Sequence, residues 1–192
     1  MPRRPRAFEA GALYHVNAKG NNSEAIVRDD VDRIDFIRTL ARVAATQGWR
    51  IHAYCVMTNH YHLVVESPDQ GLSRGMQQLN CGFARQMNKR YGRSGHLFRQ
   101  RFHSVAILTT EHLMTACRYV VLNPVRAGLR SAPEDWPWSS YRACLDLDLA
   151  PSFLAVGDLL GLFGSTPADA RAAFRRYVES DEASVSDTVP ST

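Results

Sequence analysis

The sequence predicts an α+β protein: a ferredoxin-like β-α-β-β-α-β sandwich followed by one additional helix. Three observations carry that reading. Apolar positions switch between the two-residue period of strands and the three-to-four-residue period of helices, in that order. Turn residues mark the switches, at Gly20-Asn21-Asn22, Gly48, Thr58-Asn59, Pro68-Asp69-Gln70-Gly71 and from Gly92 to Gly95. The length, 192 residues with 45% hydrophobic, suits one globular domain with appendages.

Leu13 to Ala18 reads as the first strand. Asp29-Asp30 then start a helix, their carboxylates near its positive end. Ile34, Ile37, Ala41 and Ala44 recur at helical spacing, with Phe36, Leu40 and Val43 widening the stripe, and Gly48 ends it. Arg50 to Met57 and His60 to Ser67 form a strand hairpin across Thr58-Asn59. Leu72, Met76, Leu79, Phe83 and Met87 mark the second helix, and His103 to Thr109 a fourth strand. A third helix runs from Glu111 to Val121 and is expected to stop near Asn123-Pro124, because proline disfavours helix in the residue before it. In this split βαβ order the first and third strands lie centrally.

The main domain is expected over residues 8–130. Residues 131–178 follow as a segment packed back on it, with Trp136, Trp138 and a short helix from Pro167 to Val178. The Ser/Thr/acid-rich stretch 179–192 has little to bury and is expected to be disordered. No apolar run approaches the ~18 residues a membrane span needs. Polar Glu9 and Gly11 interrupt the place of a signal-peptide core, so secretion is not expected. Cys55, Cys81, Cys117 and Cys144 are scattered without a Cys-x-x-Cys, which fits a reducing, cytoplasmic setting.

Charge says more. The net charge is +4, and 21 of the 23 basic residues are arginine. Arginine's planar fork suits phosphates and base edges. Gln70 to Thr110 contains no Asp or Glu, yet holds Arg74, Arg85, Lys89, Arg90, Arg93, Arg99 and Arg101. Such a stretch presents an anion-facing surface, most simply for nucleic acid. Arg3, Arg4 and Arg6 form a further basic arm.

Candidate chemistry centres on His60-Tyr61-His62. Alternation along a strand puts His60 and His62 on one face and Tyr61, Leu63 and Val65 on the other. Two imidazoles side by side suit one divalent cation, although His-x-His also occurs on plain half-solvated strand faces. Glu66 lies on the same nominal face, as a further ligand or as surface charge. Tyr119 and Asn123 are four apart, so they stack if the third helix persists a full turn: a nucleophile with an oxygen ligand beside it.

Six segments in order resemble the REP-associated tyrosine transposases, a branch of the single-tyrosine HUH transposases. They are Tyr14-His15-Val16 with Gly20-Asn21, the run Ala53 to Leu63, Leu72 to Gln77, Gly95 to Phe102, Arg118 to Gly128, and Trp138-Ser139-Ser140-Tyr141. The resemblance implies that His60 and His62 bind Mg²⁺ or Mn²⁺ and that Tyr119 is the nucleophile. Asn123 stands where insertion-sequence relatives carry a glutamine that completes the metal site. It further implies cleavage of hairpin-bearing single-stranded DNA through a 5′-phosphotyrosine, by a monomer or a homodimer. Imidazole ligands favour Mn²⁺ over Mg²⁺. The seven cations of the acid-free stretch would clamp the DNA backbone, with Tyr91, Phe98 and Phe102 either stacking on bases or joining the core. The competing readings are a hairpin-binding module that does not cut and an RNA-binding regulator on the same sheet topology.

Overall fold

The computed structural model describes residues 10–180. Four strands, β1 (Ala12–Lys19), β2 (Arg50–Val56), β3 (His60–Ser67) and β4 (His103–Ile107), form one antiparallel sheet in the order β2-β3-β1-β4. β1 and β3 are the central pair, as the split βαβ order requires. Helices α1 (Asp30–Gln47) and α2 (Leu72–Tyr91) pack on each other beneath one face. Helix α3 (Thr110–Arg126) lies against β2 and β3 on the other.

Local chemistry explains each helix. Asp29 accepts the backbone N–H of Asp32 at 3.0 Å and so caps α1, whose first turn also holds Asp30 and Asp32. Phe36, Leu40, Val43 and Ala44 are its buried stripe. Ile34 stands about 200° around the helix from Phe36 and is 38% exposed, so the stripe is narrower than the spacing predicts. In α2 all five expected positions are buried. A methyl group at Gly75 would stand 2.2 Å from Trp49 Cζ2, so the helix can approach Trp49 only with glycine there. Phe36 meets Tyr61 and Phe83 at ring distances of 4.7 and 5.1 Å, which joins α1, β3 and α2 in one core.

Helix α3 departs from expectation. It does not stop at Asn123-Pro124 but continues to Arg126. Thr109 caps its start by accepting the His112 N–H at 3.1 Å, and β4 ends earlier than predicted, at Ile107. Proline costs the helix one hydrogen bond and crowds the preceding turn. Here Val121, Leu122, Asn123 and Pro124 are all buried, and that packing offsets the cost. The turn then closes with Ala127 N–H donating to the Asn123 carbonyl at 3.0 Å, before Gly128 takes a positive φ of 67°.

Residues beyond 130 share the same core through Trp136, Tyr141, Phe174 and Val178. They line the outer edge of β2: Val56 N–H donates to Trp138 O, Ile51 N–H to Phe153 O, and Ala155 N–H to Ile51 O. An edge strand is thereby covered. Short helices α4 (Tyr141–Cys144) and α5 (Val156–Leu160), absent from the sequence reading, precede α6 (Pro167–Glu179), which packs on α3. The buried Arg118 side chain donates to the Tyr177 carbonyl at 2.9 Å across that contact. Glu179 ends α6 and Ser180 caps it, so ordered structure runs past the expected start of the tail; the rest of that tail and Arg3, Arg4 and Arg6 lie outside the described residues. No helix among the described residues is long and apolar enough to cross a membrane.

Candidate active site

The site forms where β1 and β3 meet α3. Ladder partners share a face, so the pairing of Asn17 with His62 and of His15 with Val64 sets His15, Asn17, His60 and His62 beneath α3. Tyr61 points the opposite way, fully buried, its hydroxyl donating to Asn80 Oδ1 at 2.6 Å.

Because α3 persists through Pro124, Tyr119 and Asn123 do lie one turn apart on one face. Asn123 Oδ1 comes within 3.0 Å of His60 Nε2. The Tyr119 ring packs edge-on against both His62 and His15, at 5.5 and 5.6 Å between centroids. His60 and His62 are 5.1 Å apart and nearly perpendicular. Arg126 sits over the Tyr119 ring at 4.7 Å and holds it from the solvent side. Nucleophile candidate and imidazoles therefore meet within one chain.

Burial disfavours the charged form of three of these rings. Burial, reinforced by His103 and His112, lowers His15 to about 4. Burial also drives His62 well below the ordinary histidine value, helped by His15 and His60, and lowers His60 against the opposing bond to Asn123. Neutral imidazoles keep a lone pair, which is the form a metal ion binds. Among the described residues no group of three or more His, Cys, Asp or Glu side chains converges as a metal cage. A cation here would rest on His60, His62 and the amide oxygen of Asn123. Glu66 is excluded from that set: four strand residues from His62, ~13 Å along the chain, it pairs with Arg50 and His52 at 3.3 and 3.2 Å.

The basic stretch divides. Arg90 bridges Asp29, at 2.8 Å, and the buried Asp32, and Tyr91 donates to Asp32 at 2.8 Å under a covering Arg28. Arg93 pairs with Glu24 at 3.1 Å, and Arg74 contacts Gln47 and Asp69. Arg90 in particular is committed to holding α2 on α1. Among the described residues no ion pair engages Arg85, Lys89, Arg99 or Arg101, and all four are exposed. Arg74, Arg99 and Arg101 line a cleft of about 650 Å³ between α2 and residues 95–102, with Gln77 and His96. Phe98 and Phe102 in its wall are buried core rather than open platforms. The cleft lies on the α2 face of the sheet, opposite the histidines, and its loop reaches the end of β1: Arg99 N–H donates to the Lys19 carbonyl at 2.9 Å, and Lys19 is the ladder partner of His60.

The sequence points to Asn59 as a turn residue and to His15 as part of the first strand, and to neither as part of the site. His15 Nε2 lies 3.0 Å from His62 Nδ1, and Asn59 Oδ1 2.7 Å from His60 Nδ1. Alternation alone sets His15 and Asn17 on one face of a central strand, but which strand faces them is known only from the register.

The chain is a transposase of the IS200-like class. The family model described as "Transposase IS200 like" matches residues 10–123, and the chain belongs to that family. Its sequence is similar to the Haemophilus influenzae protein named "Putative REP-associated tyrosine transposase", 27% identical over 159 residues that span 76% of this chain and 89% of that one. A solved structure of a REP-associated tyrosine transposase bound to a REP hairpin shares the fold, with a TM-score of 0.64 at 18% identity, over 79% of this chain and 88% of that one.

Proposed function

We propose that the chain cuts and rejoins single-stranded DNA carrying palindromic hairpins, with Tyr119 as nucleophile and a divalent cation held by His60, His62 and Asn123. The observation that carries the reading is the packing of the Tyr119 ring directly on His62, with Asn123 one turn on at His60. Membership in a transposase family and the hairpin bound by the structural relative supply the substrate class.

The residues suit the reaction. Tyr119 attacks a phosphorus, the phenolic proton is lost to solvent, the bond to the 3′ oxygen breaks, and that oxygen takes a proton from solvent. The products are a 5′-phosphotyrosine and a free 3′-OH, and the 3′-OH of the partner strand can later attack that ester and release the tyrosine. Bound Mn²⁺ or Mg²⁺ supplies neutralisation of the phosphate charge and alignment of the attacking and leaving oxygens. His60 and His62 would hold the cation through ring nitrogens and Asn123 through its carbonyl oxygen, while Arg126 keeps the phenol ring in place. Arg99 and Arg101 line the cleft beside α2, with the Arg99 backbone tied to the end of β1, and would hold the DNA backbone that leads to the site.

The test is cleavage of hairpin DNA by the wild type and by a His60→Ala, His62→Ala double variant, with and without chelator. Cleavage that needs a divalent cation and vanishes in the variant, while hairpin binding survives, supports the reading. Binding without cleavage by the wild type would leave a hairpin-binding module in its place.

A further inference from the structure

Each proposed metal-binding imidazole has its inner nitrogen occupied by another side chain. Asn59 sits in the turn between β2 and β3, and its Nδ2 donates to the Ser23 carbonyl at 3.2 Å. That bond fixes the amide, so it is Oδ1 that faces His60 Nδ1 at 2.7 Å. An amide oxygen only accepts. His60 must therefore carry its proton on Nδ1, and its Nε2 presents a lone pair toward Asn123, where the two ligand atoms lie 3.0 Å apart. Without a cation the amide can meet that lone pair with its NH₂, and with one it can turn its oxygen.

His62 also has its Nδ1 partnered, here by a second imidazole that can either donate or accept. Its Nδ1 meets His15 Nε2 at 3.0 Å, and the two rings lie edge to edge and nearly coplanar, with centroids 5.1 Å apart and an interplanar angle of 24°. Both rings are almost fully buried, so no water competes for the bond. Only one proton lies between the two nitrogens. If it belongs to His62, Nε2 of His62 is free to bind; if it belongs to His15, Nε2 of His62 carries a hydrogen and repels a cation.

We propose that His15 and Asn59 are positioning residues for the metal site: they hold His62 and His60 in the Nδ1–H tautomer, so that both Nε2 lone pairs face the cation. The proposal rests on the reading of His60 and His62 as ligands. It gives the Tyr14-His15-Val16 segment and the residue preceding His60 a defined chemical task, one that a packing role for a buried histidine or a turn role for an asparagine does not include. Side chains that orient metal-bound histidines commonly affect metal affinity by about 10- to 100-fold.

Two measurements on the full chain test it. Long-range ¹H–¹⁵N NMR on histidine-labelled protein reads which nitrogen of each ring is protonated. The expected result is Nδ1–H for His60 with or without Mg²⁺, and Nδ1–H for His62 in the Mg²⁺-loaded protein. A proton on Nε2 of either ring in the loaded state would overturn the assignment. Mn²⁺ titration followed by electron paramagnetic resonance then compares variants. His15→Phe and Asn59→Ala should each weaken Mn²⁺ binding about 10- to 100-fold, and His15→Gln, which restores an acceptor, should recover part of the loss. A folded His15→Phe that binds Mn²⁺ as tightly as the wild type would overturn the role of His15; should that variant fail to fold, the NMR result on the wild type decides. Failure of the underlying metal reading looks different: the wild type takes up no Mn²⁺, or its Mn²⁺ survives the His60→Ala, His62→Ala change, and the proposal falls with it.

Discussion

Asn123 Oδ1 stands 3.0 Å from His60 Nε2, joining a helix on one side of the sheet to a central strand beneath it. The contact depends on Pro124 lying inside α3 rather than beyond its end.

The first prediction tests that amide. Asn123→Ala removes the oxygen and should weaken Mn²⁺ binding and slow cleavage by about 10-fold or more. Asn123→Gln keeps an amide and should retain measurable activity. Isothermal titration with Mn²⁺ and single-turnover cleavage check both, and an Asn123→Ala protein with unaltered metal affinity removes it from the ligand set.

A second prediction separates cations that look alike in the sequence. Arg99→Gln with Arg101→Gln should weaken hairpin DNA binding and lower the salt slope by ~0.7 to 0.9 for each phosphate no longer neutralised. Arg90→Gln should instead lower the thermal midpoint, because it leaves the carboxylate of Asp32 buried without its cation, and should change the salt slope little. Filter binding across a salt series and a thermal melt distinguish the two classes. Equal effects of both changes on the slope would show that Arg90 faces DNA after all.

How far the sequence reached follows from these cases. Strand alternation is local and strict, so His60, His62 and the inward Tyr61 were legible, as was the apolar stripe of α2 from Leu72 to Met87. The central positions of β1 and β3 followed from element order alone. What stayed hidden depends on contacts across the chain. The buried turn at Asn123-Pro124 is helical because the sheet packs against it, which no rule about proline's neighbour contains. Arg90 and Arg93 read as free cations because their acids, Asp29, Asp32 and Glu24, lie some sixty residues away in sequence. His15 gained its meaning only from the register that sets it beside His62.

A third prediction concerns acidity in the metal-free chain. His15 has a folded value of about 4 against 6.5 unfolded, and burial also lowers His52 and His62. A lowered value means that the unfolded chain binds the proton first as pH falls. Stability is therefore unaffected by these groups above pH ~6.5 and is lost progressively toward pH ~4. His15 alone accounts for about 3 kcal/mol of that loss. Denaturant melts in chelator at stepped pH should show the decline in the wild type and a shallower one in His15→Phe. A stability independent of pH over that window contradicts the burial of neutral rings.

The central claim is that Tyr119 is the nucleophile, and covalent capture reads it most directly. Wild-type protein is incubated with Mn²⁺ and 5′- or 3′-labelled hairpin DNA, denatured, and the adduct mapped by mass spectrometry. The expected adduct links Tyr119 to the 5′ phosphate of the downstream fragment. Tyr119→Phe, which removes one oxygen and keeps the ring against His62, should still bind the hairpin and form no adduct. An adduct that persists in Tyr119→Phe, or that maps to another residue such as Tyr91, would contradict the claim.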